Sequence, residues 1–345
     1  MTRAIAFHLP QFHPIPQNDE WWGKGFTEWT NTAKAKPLFE GHYQPHVPAD
    51  LGFYDLRLPE ARQDQADLAK KYGIEGFCYY HYWFGHGQRI LERPFEEILA
   101  SGEPDFPFCL CWANHSWTGV WHGVPDRLLI AQTYPGPADN EAHFNSLLPA
   151  FQDPRYIKVD GNPVFLVFDP YGLPDARAFA AQWHEMALKA GLPGLHLLAI
   201  RHNGQNWNPH DGGFDGAIDM RIPFFSKEWS EGTRETLILD HRQVTAHEVA
   251  EPEPGITTYP CIGPSWDNTP RLGRRGIIYV NSHPDLFRET VRRAVGVLAQ
   301  RPAENQLMFL KAWNEWAEGN HLEPDLKFGH GWLEALRQGM ACLTS

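Results

Sequence analysis

The chain is short of positive charge. Its 345 residues carry 30 Lys and Arg against 42 Asp and Glu, a net charge of −12. The basic grouping that stands out, Arg271, Arg274 and Arg275, is too small to follow a phosphate backbone, so no nucleic-acid partner is expected. Cysteine is scarce as well. The five, Cys78, Cys109, Cys111, Cys261 and Cys342, form no C-x-x-C pair, which excludes a disulfide framework or a zinc knuckle. Cys109 and Cys111, two apart in an apolar run, read as buried thiols on one side of a strand. Long hydrophobic runs are missing: none reaches the ~20 residues of a membrane helix. The opening MTRAIAFHLPQFHP is broken by Pro10 and lacks the apolar core of about 7–15 residues of a signal peptide. A soluble, cytoplasmic chain with no membrane span is expected.

Several motifs are also missing. No G-x-G-x-x-G follows the first strand candidate, and the chain has no P-loop, G-x-S-x-G, H-E-x-x-H or D-x-D. Dinucleotide binding, phosphate cradling and a serine elbow therefore have no signature here. The 18 histidines come without accompanying cysteines. His81 and His115 are the candidates for a metal ligand, yet hydrogen bonding to sugar hydroxyls or structural carbonyls suits them better, and neither metal nor other cofactor is expected.

Aromatic residues are plentiful, at 13% of the chain, with 14 Trp, 11 Tyr and 21 Phe. Strand-like runs occur at 4–9, 74–84, 108–114, 163–169, 195–200, 216–222, 256–262 and 307–316. Several are continuously apolar, as parallel strands covered on both faces must be. Between them lie helix candidates at 58–73, 93–101, 138–151, 175–191 and 283–301, with Asp175 placed to cap and Gly73 and Gly191 placed to terminate. No helix is evident over 223–255. Eight strands alternating with helices predict a (β/α)8 TIM barrel, an α/β fold, in a single domain over 1–345.

In such a barrel, function collects past the C-terminal ends of the strands. The first end carries His8 and Gln11, followed by Glu28 and Trp29 in a long segment with Trp21, Trp22 and Tyr43. The second carries Tyr80, His81, Tyr82 and Trp83; the third Trp112, Asn114, His115, Trp117 and Trp121. Asp169 and Tyr171 follow the fourth, and Arg201, His202, Asn203 and Trp207 the fifth. Trp266, Asp267, Asn268 and Arg271 follow the seventh, and Trp313 and Asn314 stand at the eighth. A core seldom asks for this mixture, because each buried polar group must be paired. A sugar does ask for it: its C–H face packs on indole while its hydroxyls need donors and acceptors. A carbohydrate substrate is expected, and no feature of the sequence sets an oligomeric state.

The eighth run ends in KAWNEWAEGNHLEPD, 311–325, with Glu315 and Glu318 three residues apart. Along a strand these side chains point to opposite faces; on a turn they share one. They converge only if the chain leaves the strand near Trp316 and bends, which Gly319 favours. Two carboxylates on one loop differ from the usual glycosidase pair, which flanks the scissile bond from different strands. They suit a reaction in which one takes the proton of a neighbouring sugar hydroxyl and the other protonates the leaving oxygen.

HLPQFHPIPQND, WWGKGFTEW, GFCYYHYWF, CWANHSW and WNEWAEGNHLEPD together resemble the WbsX-like proteins of polysaccharide gene clusters. Those are related to glycoside hydrolase family 99, the endo-α-mannosidases and endo-α-mannanases. The resemblance implies a (β/α)8 barrel acting on glycans with retention, without metal, through a 1,2-anhydro-sugar intermediate. Carried onto E-W-A-E-G, it implies Glu315 as base on the 2-hydroxyl and Glu318 as general acid, then base; in that role Glu318 is expected to have a raised pKa from its neighbouring carboxylate and burial. The mannosidases have a tyrosine-rich first strand where this chain has HLPQFH, a departure that bears on mannoside specificity and not on the mechanism; an α-mannoside-like substrate stays among the expectations. Two alternatives stand beside the glycosidase: a glycosyltransferase of polysaccharide assembly, as WbsX-like proteins are often labelled, and a non-catalytic glycan-binding barrel.

Overall fold

The computed structural model describes residues 2–119, 124–202, 205, 207–222 and 235–341. Eight parallel strands carry the architecture: β1 (Arg3–His8), β2 (Ile74–His81), β3 (Phe108–Trp112), β4 (Asn162–Val167), β5 (His196–His202), β6 (Gly216–Met220), β7 (Thr258–Ile262) and β8 (Leu307–Leu310). Each overlaps one of the eight runs read from the sequence. Neighbours in chain order pair side by side, for instance Phe7 with Cys78 and Leu198 with Gly216. Ala4 pairs with Met308, joining β1 to β8, and Leu110 pairs with Phe165, joining β3 to β4. The sheet thus closes without an edge, as a (β/α)8 barrel. Burial explains the unbroken apolar runs: Phe7, Leu110, Leu166, Leu198 and Phe309 are all shielded from solvent, inside or beneath helices.

The covering helices begin and end where their chemistry dictates. Asp175 Oδ1 accepts from Ala178 N at 2.9 Å and so caps Ala176–Lys189. Gly73 and Gly191 leave their helices with φ of +83° and +79°, the left-handed region open to glycine. The helix Pro284–Leu298 buries Phe287, Val291, Ala294, Val295 and Leu298, a stripe at helical spacing. It packs against Gly331–Ala341 so closely that a Cβ on Gly339 would sit 2.7 Å from Val291 Cβ. Filling that contact would push the two helices apart.

Two connections depart from regular βα alternation. Between β5 and β6 the described residues hold a short 3-10 turn, Pro209–Gly212, instead of an α-helix. In 223–255, where no helix is evident from sequence, residues 223–234 lie outside the described residues. Beyond them a strand Leu237–Asp240 pairs with Ile277–Val280 outside the barrel, followed by a helix His241–Glu248. Its buried face is His241, Val244, Thr245 and Glu248, with a single aliphatic residue, so no apolar period announces it. Asp240, accepting from Arg242 N at 2.9 Å, was its available start signal.

Cys78, Cys109, Cys111 and Cys261 are buried free thiols; Cys342, Trp121 and Asn203 lie outside the described residues. Among the described residues no helix is long and apolar enough to cross a membrane.

Candidate active site

A cavity of about 720 Å³ opens at the C-terminal ends of the strands. Its chemistry centres on the turn after β8. Asn314–Glu315 pairs antiparallel with Asn320–His321, and Trp316–Glu318 makes one 3-10 turn between them. Gly319 closes the turn at φ +62°, and a Cβ there would meet Asp267 N at 2.8 Å. Asp267 N in turn donates to Glu318 O at 2.7 Å, tying the turn to the loop after β7. The chain does leave the strand at Trp316, and both Glu315 and Glu318 line the cavity.

Two cations hold the pair. Arg271 Nη1 lies 2.5 Å from Glu318 Oε1, and its Nη2 lies 3.0 Å from Glu315 Oε2. Lys311 Nζ is 3.2 Å from Glu318 Oε2 and 3.6 Å from Glu315 Oε1. A third carboxylate joins from the helix Glu28–Lys34: Glu28 Oε1 accepts from Arg271 Nε at 2.8 Å and Nη2 at 2.5 Å. Gln11 Nε2 donates to Glu28 Oε2 at 3.1 Å. All five charged groups are buried or nearly so. With three carboxylates against two cations, one proton on the carboxylates makes the cluster neutral, the state burial favours.

The pKa shifts of Glu315 and Glu318 run in opposite directions. Burial and the neighbouring Glu318 charge push Glu315 up. Burial alone would raise Glu318 too, but Lys311 and Arg271 outweigh it and hold its carboxyl below the usual value. This reverses the order expected from sequence, which placed the raised pKa on Glu318. The reason is the two cations, whose closest contacts are to Glu318. The same carboxylates raise Lys311 and Arg271 against the pull of burial.

Aromatic and polar walls surround the cluster. Tyr80, Tyr82, Trp117 and Trp266 line the cavity. The Lys311 ammonium stands 5.5 Å from the Trp266 ring centre, and Trp117 meets Tyr82 edge-on at 5.3 Å. Phe168, edge-on to Tyr80 at 6.1 Å, lies between His115 and His202, with ring centres 5.4 and 4.8 Å away. Burial lowers both histidines, so they are neutral donors and acceptors near pH 7. Asp169 also reaches the cavity.

Ten residues read from sequence as substrate contacts do not line it, and strand alternation explains most of these corrections. Tyr80 and Tyr82 face inward; His81 and Trp83 face the helix layer. The register pairs His81 with Trp112, and both point at His143: His81 Nε2 is 2.8 Å from His143 Nε2, and Trp112 meets that ring edge-on. Burial lowers the His81 pKa to about 3. Trp83 Nε1 donates to Asp139 and Trp112 Nε1 to Trp83 O, both at 2.9 Å. His8 likewise faces outward, bonded to Gln65 Oε1 at 3.1 Å and lowered by burial to about 4. Trp29 donates to Tyr54 O at 2.8 Å, and Trp313 is wholly buried against Phe77.

The remaining four are polar fasteners. Asn114 grips Asp169 through Oδ1 to N at 2.7 Å and Nδ2 to O at 2.6 Å. Asn314 grips Leu9 the same way, at 2.7 and 3.0 Å. Arg201 is consumed by Asp219 and Glu253, each at 2.6 Å. Asp267 accepts from His42, Gln44 and Thr269. Buried polar groups must be satisfied, and these are satisfied by protein. Conversely, Lys311 and Asn31 line the cavity without having been singled out. Lys311 was findable as the first residue past β8. Arg271, placed by the sequence at the seventh strand end, lines the cavity and pairs with the carboxylates. Among the described residues the one trio with metal-ligand spacing, His46, His321 and Asp325, stands apart from the cavity lining.

Comparison with solved structures shows that the fold is shared with glycosidase barrels. A glycoside hydrolase-like protein superposes with a TM-score of 0.62 at 14% identity, over 98% of this chain and 94% of the other. The family 99 endo-α-mannosidase of Bacteroides thetaiotaomicron superposes with a TM-score of 0.56 at 13% identity, over 98% and 95%. The model of the family described as glycosyltransferase WbsX matches residues 4–336, and the chain belongs to that family. The uncharacterized WxcX proteins of two Xanthomonas campestris pv. campestris strains are each 41% identical over 97% of this chain. That match takes in 49% of their length, so the chain spans about half of these relatives.

Proposed function

We propose that the protein is a retaining glycoside hydrolase cutting within a poly- or oligosaccharide, α-mannoside-like linkages included, with Glu315 and Glu318 as its catalytic pair. The observation that carries this is their convergence from one turn onto an aromatic-walled cavity. Glu315 takes the proton from the sugar 2-hydroxyl as O2 attacks C1. The C1–O bond to the departing sugar breaks, and Glu318 gives that oxygen its proton. Water then attacks C1 of the 1,2-anhydro sugar, giving its proton to Glu318, while O2 leaves C1 and recovers a proton from Glu315. Two inversions return the original configuration.

This chemistry needs the proton on Glu318 when substrate is bound, whereas in the free site the shifts favour a proton on Glu315 over Glu318. Arg271 is the group that must yield. A glycosidic oxygen arriving at Glu318 Oε1 takes the place of Arg271 Nη1, and withdrawing that cation raises Glu318 while exposing Glu315 to the 2-hydroxyl. Tyr80, Tyr82, Trp117 and Trp266 supply the surfaces for sugar rings, and Gln11, Glu28, Asp169 and His202 the hydroxyl partners.

A glycosyltransferase is the second reading, favoured by the family description and by Arg271, Arg275 and Lys311 in the cavity wall. Arg271 and Lys311 are already matched to carboxylates, which disfavours a diphosphate donor. The test is a panel of oligosaccharides of varied linkage, scored for released reducing ends and for the first-formed anomer, beside calorimetry with nucleotide sugars. New reducing ends with retained configuration support hydrolysis. Nucleotide-sugar binding with no hydrolysis of any glycan overturns it.

A further inference from the structure

The stretch HLEPD, 321–325, is not absorbed by the catalytic pair, yet its acidic and imidazole side chains are buried. His321 stands across the small hairpin from Asn314. Its ring stacks on Trp316 with centres 3.7 Å apart. His321 Nδ1 lies 2.9 Å from Glu323 O. A carbonyl can only accept, so Nδ1 carries the hydrogen and Nε2 presents a lone pair. That lone pair faces His46 Nδ1 at 2.9 Å and Asp325 Oδ2 at 3.8 Å. The three atoms all lie within 4.8 Å of one another.

Asp325 is the telling member. Its Oδ1 accepts from Lys327 N at 2.9 Å and Phe328 N at 2.6 Å. Its Oδ2 is buried and has no hydrogen-bond partner. A carboxylate oxygen left so is costly unless a cation or donor meets it. His321 Nε2, whose lone pair stands 3.8 Å away, is no donor to it. The ammonium of Lys327 lies 4.5 Å from the centre of the Tyr43 ring. Tyr43 stacks on His46, and its hydroxyl, beside the Asp325 carboxylate, is the competing donor.

We propose that His46 Nδ1, His321 Nε2 and Asp325 Oδ2 form a structural site for a divalent transition ion, zinc matching their ligand chemistry. Bond lengths of about 2.0–2.2 Å in a tetrahedron separate ligand atoms by roughly 3.3–3.5 Å; the 2.9 and 3.8 Å contacts of His321 Nε2 lie on either side of that span, and His46 Nδ1 and Asp325 Oδ2, within 4.8 Å of each other, draw together on binding. The hydrogen bond from His321 Nδ1 to a carbonyl is the second contact that metal-bound histidines characteristically make. The scaffold is already fixed, since Ala49 N donates to Pro324 O and Leu326 N to Val47 O. An ion here braces the hairpin that presents Glu315 and Glu318, and the inference stands whether or not the barrel hydrolyses glycans.

The test uses the untagged chain, stripped with a chelator and titrated with Zn²⁺ and Co²⁺. One ion per chain, a visible tetrahedral Co²⁺ band and a higher Tm are expected, with D325N and H46Q weakening affinity at least tenfold. No stoichiometric uptake with unchanged Tm overturns the proposal, as does an identical Co²⁺ band in both variants. Should the variants not fold, X-ray absorption on the zinc-loaded native chain decides: two imidazoles near 2.0–2.1 Å support the site, and an all-oxygen shell overturns it.

Discussion

Arg271 Nη1 lies 2.5 Å from Glu318 Oε1, and the same guanidinium grips Glu28 through Nε and Nη2. One side chain from the loop after β7 thus joins Lys311 in holding down a carboxylate on the turn after β8. Replacing it with methionine removes one of the two cations that hold Glu318 down, so the acid group titrates at higher pH. The buried Glu28 also loses its partner, a change that costs about 3–5 kcal/mol. R271M is expected to lower Tm and to move the pH–rate profile upward. An unmoved profile in a folded R271M would show that Arg271 does not set the Glu318 proton.

Gly319 holds a backbone conformation few side chains adopt, against Asp267. G319A should displace Glu318 and cut kcat by roughly tenfold to a hundredfold, as misplacement of about 1 Å does. KM should change far less. Steady-state kinetics on a confirmed substrate separates the two constants.

Glu323 offers a pH prediction away from the cavity. It is fully buried, accepts from Trp316 Nε1 and Tyr54 at 2.5 and 2.9 Å, and burial pushes it up to about 7. A raised folded value favours the protonated state, so this group's contribution is complete below about 4.3 and is lost as pH rises toward about 7. That interval corresponds to roughly 3–4 kcal/mol at about 1.4 kcal/mol per unit. Urea unfolding of the native chain and E323Q across pH 4–8 should show a shallower decline in the variant.

The histidine pair His81 and His143 belongs to packing. H143A should lower stability by about 1–3 kcal/mol through the unpaired His81 and lost ring contacts, with KM unchanged. W266A should do the reverse, raising KM about tenfold through lost ring stacking with a small Tm change. Thermal unfolding and kinetics on both variants check the assignment.

The barrel was legible because parallel strands buried on both faces leave unbroken apolar runs, and all eight were visible. The turn at Gly319 was legible too, since no other geometry brings Glu315 and Glu318 to one side. What could not be seen was which strand-end residues face inward. Tyr80 and His81 are equally conspicuous in YYHYW, but the register that turns His81 toward His143 depends on a helix 62 residues further on. The charge order within the glutamate pair was hidden for the same reason: it is set by Lys311 and by Arg271, whose closeness only the folded chain shows. His46 and His321, 275 residues apart, left no ligand spacing to read.

The most direct measurement is turnover by E315Q and E318Q on a glycan the native chain cleaves, with folding checked by circular dichroism. Each carboxylate acts in proton transfer, worth about 10²–10⁴-fold, so both variants should lose at least a hundredfold in released reducing ends while keeping the native spectrum. Full activity in both would contradict the account.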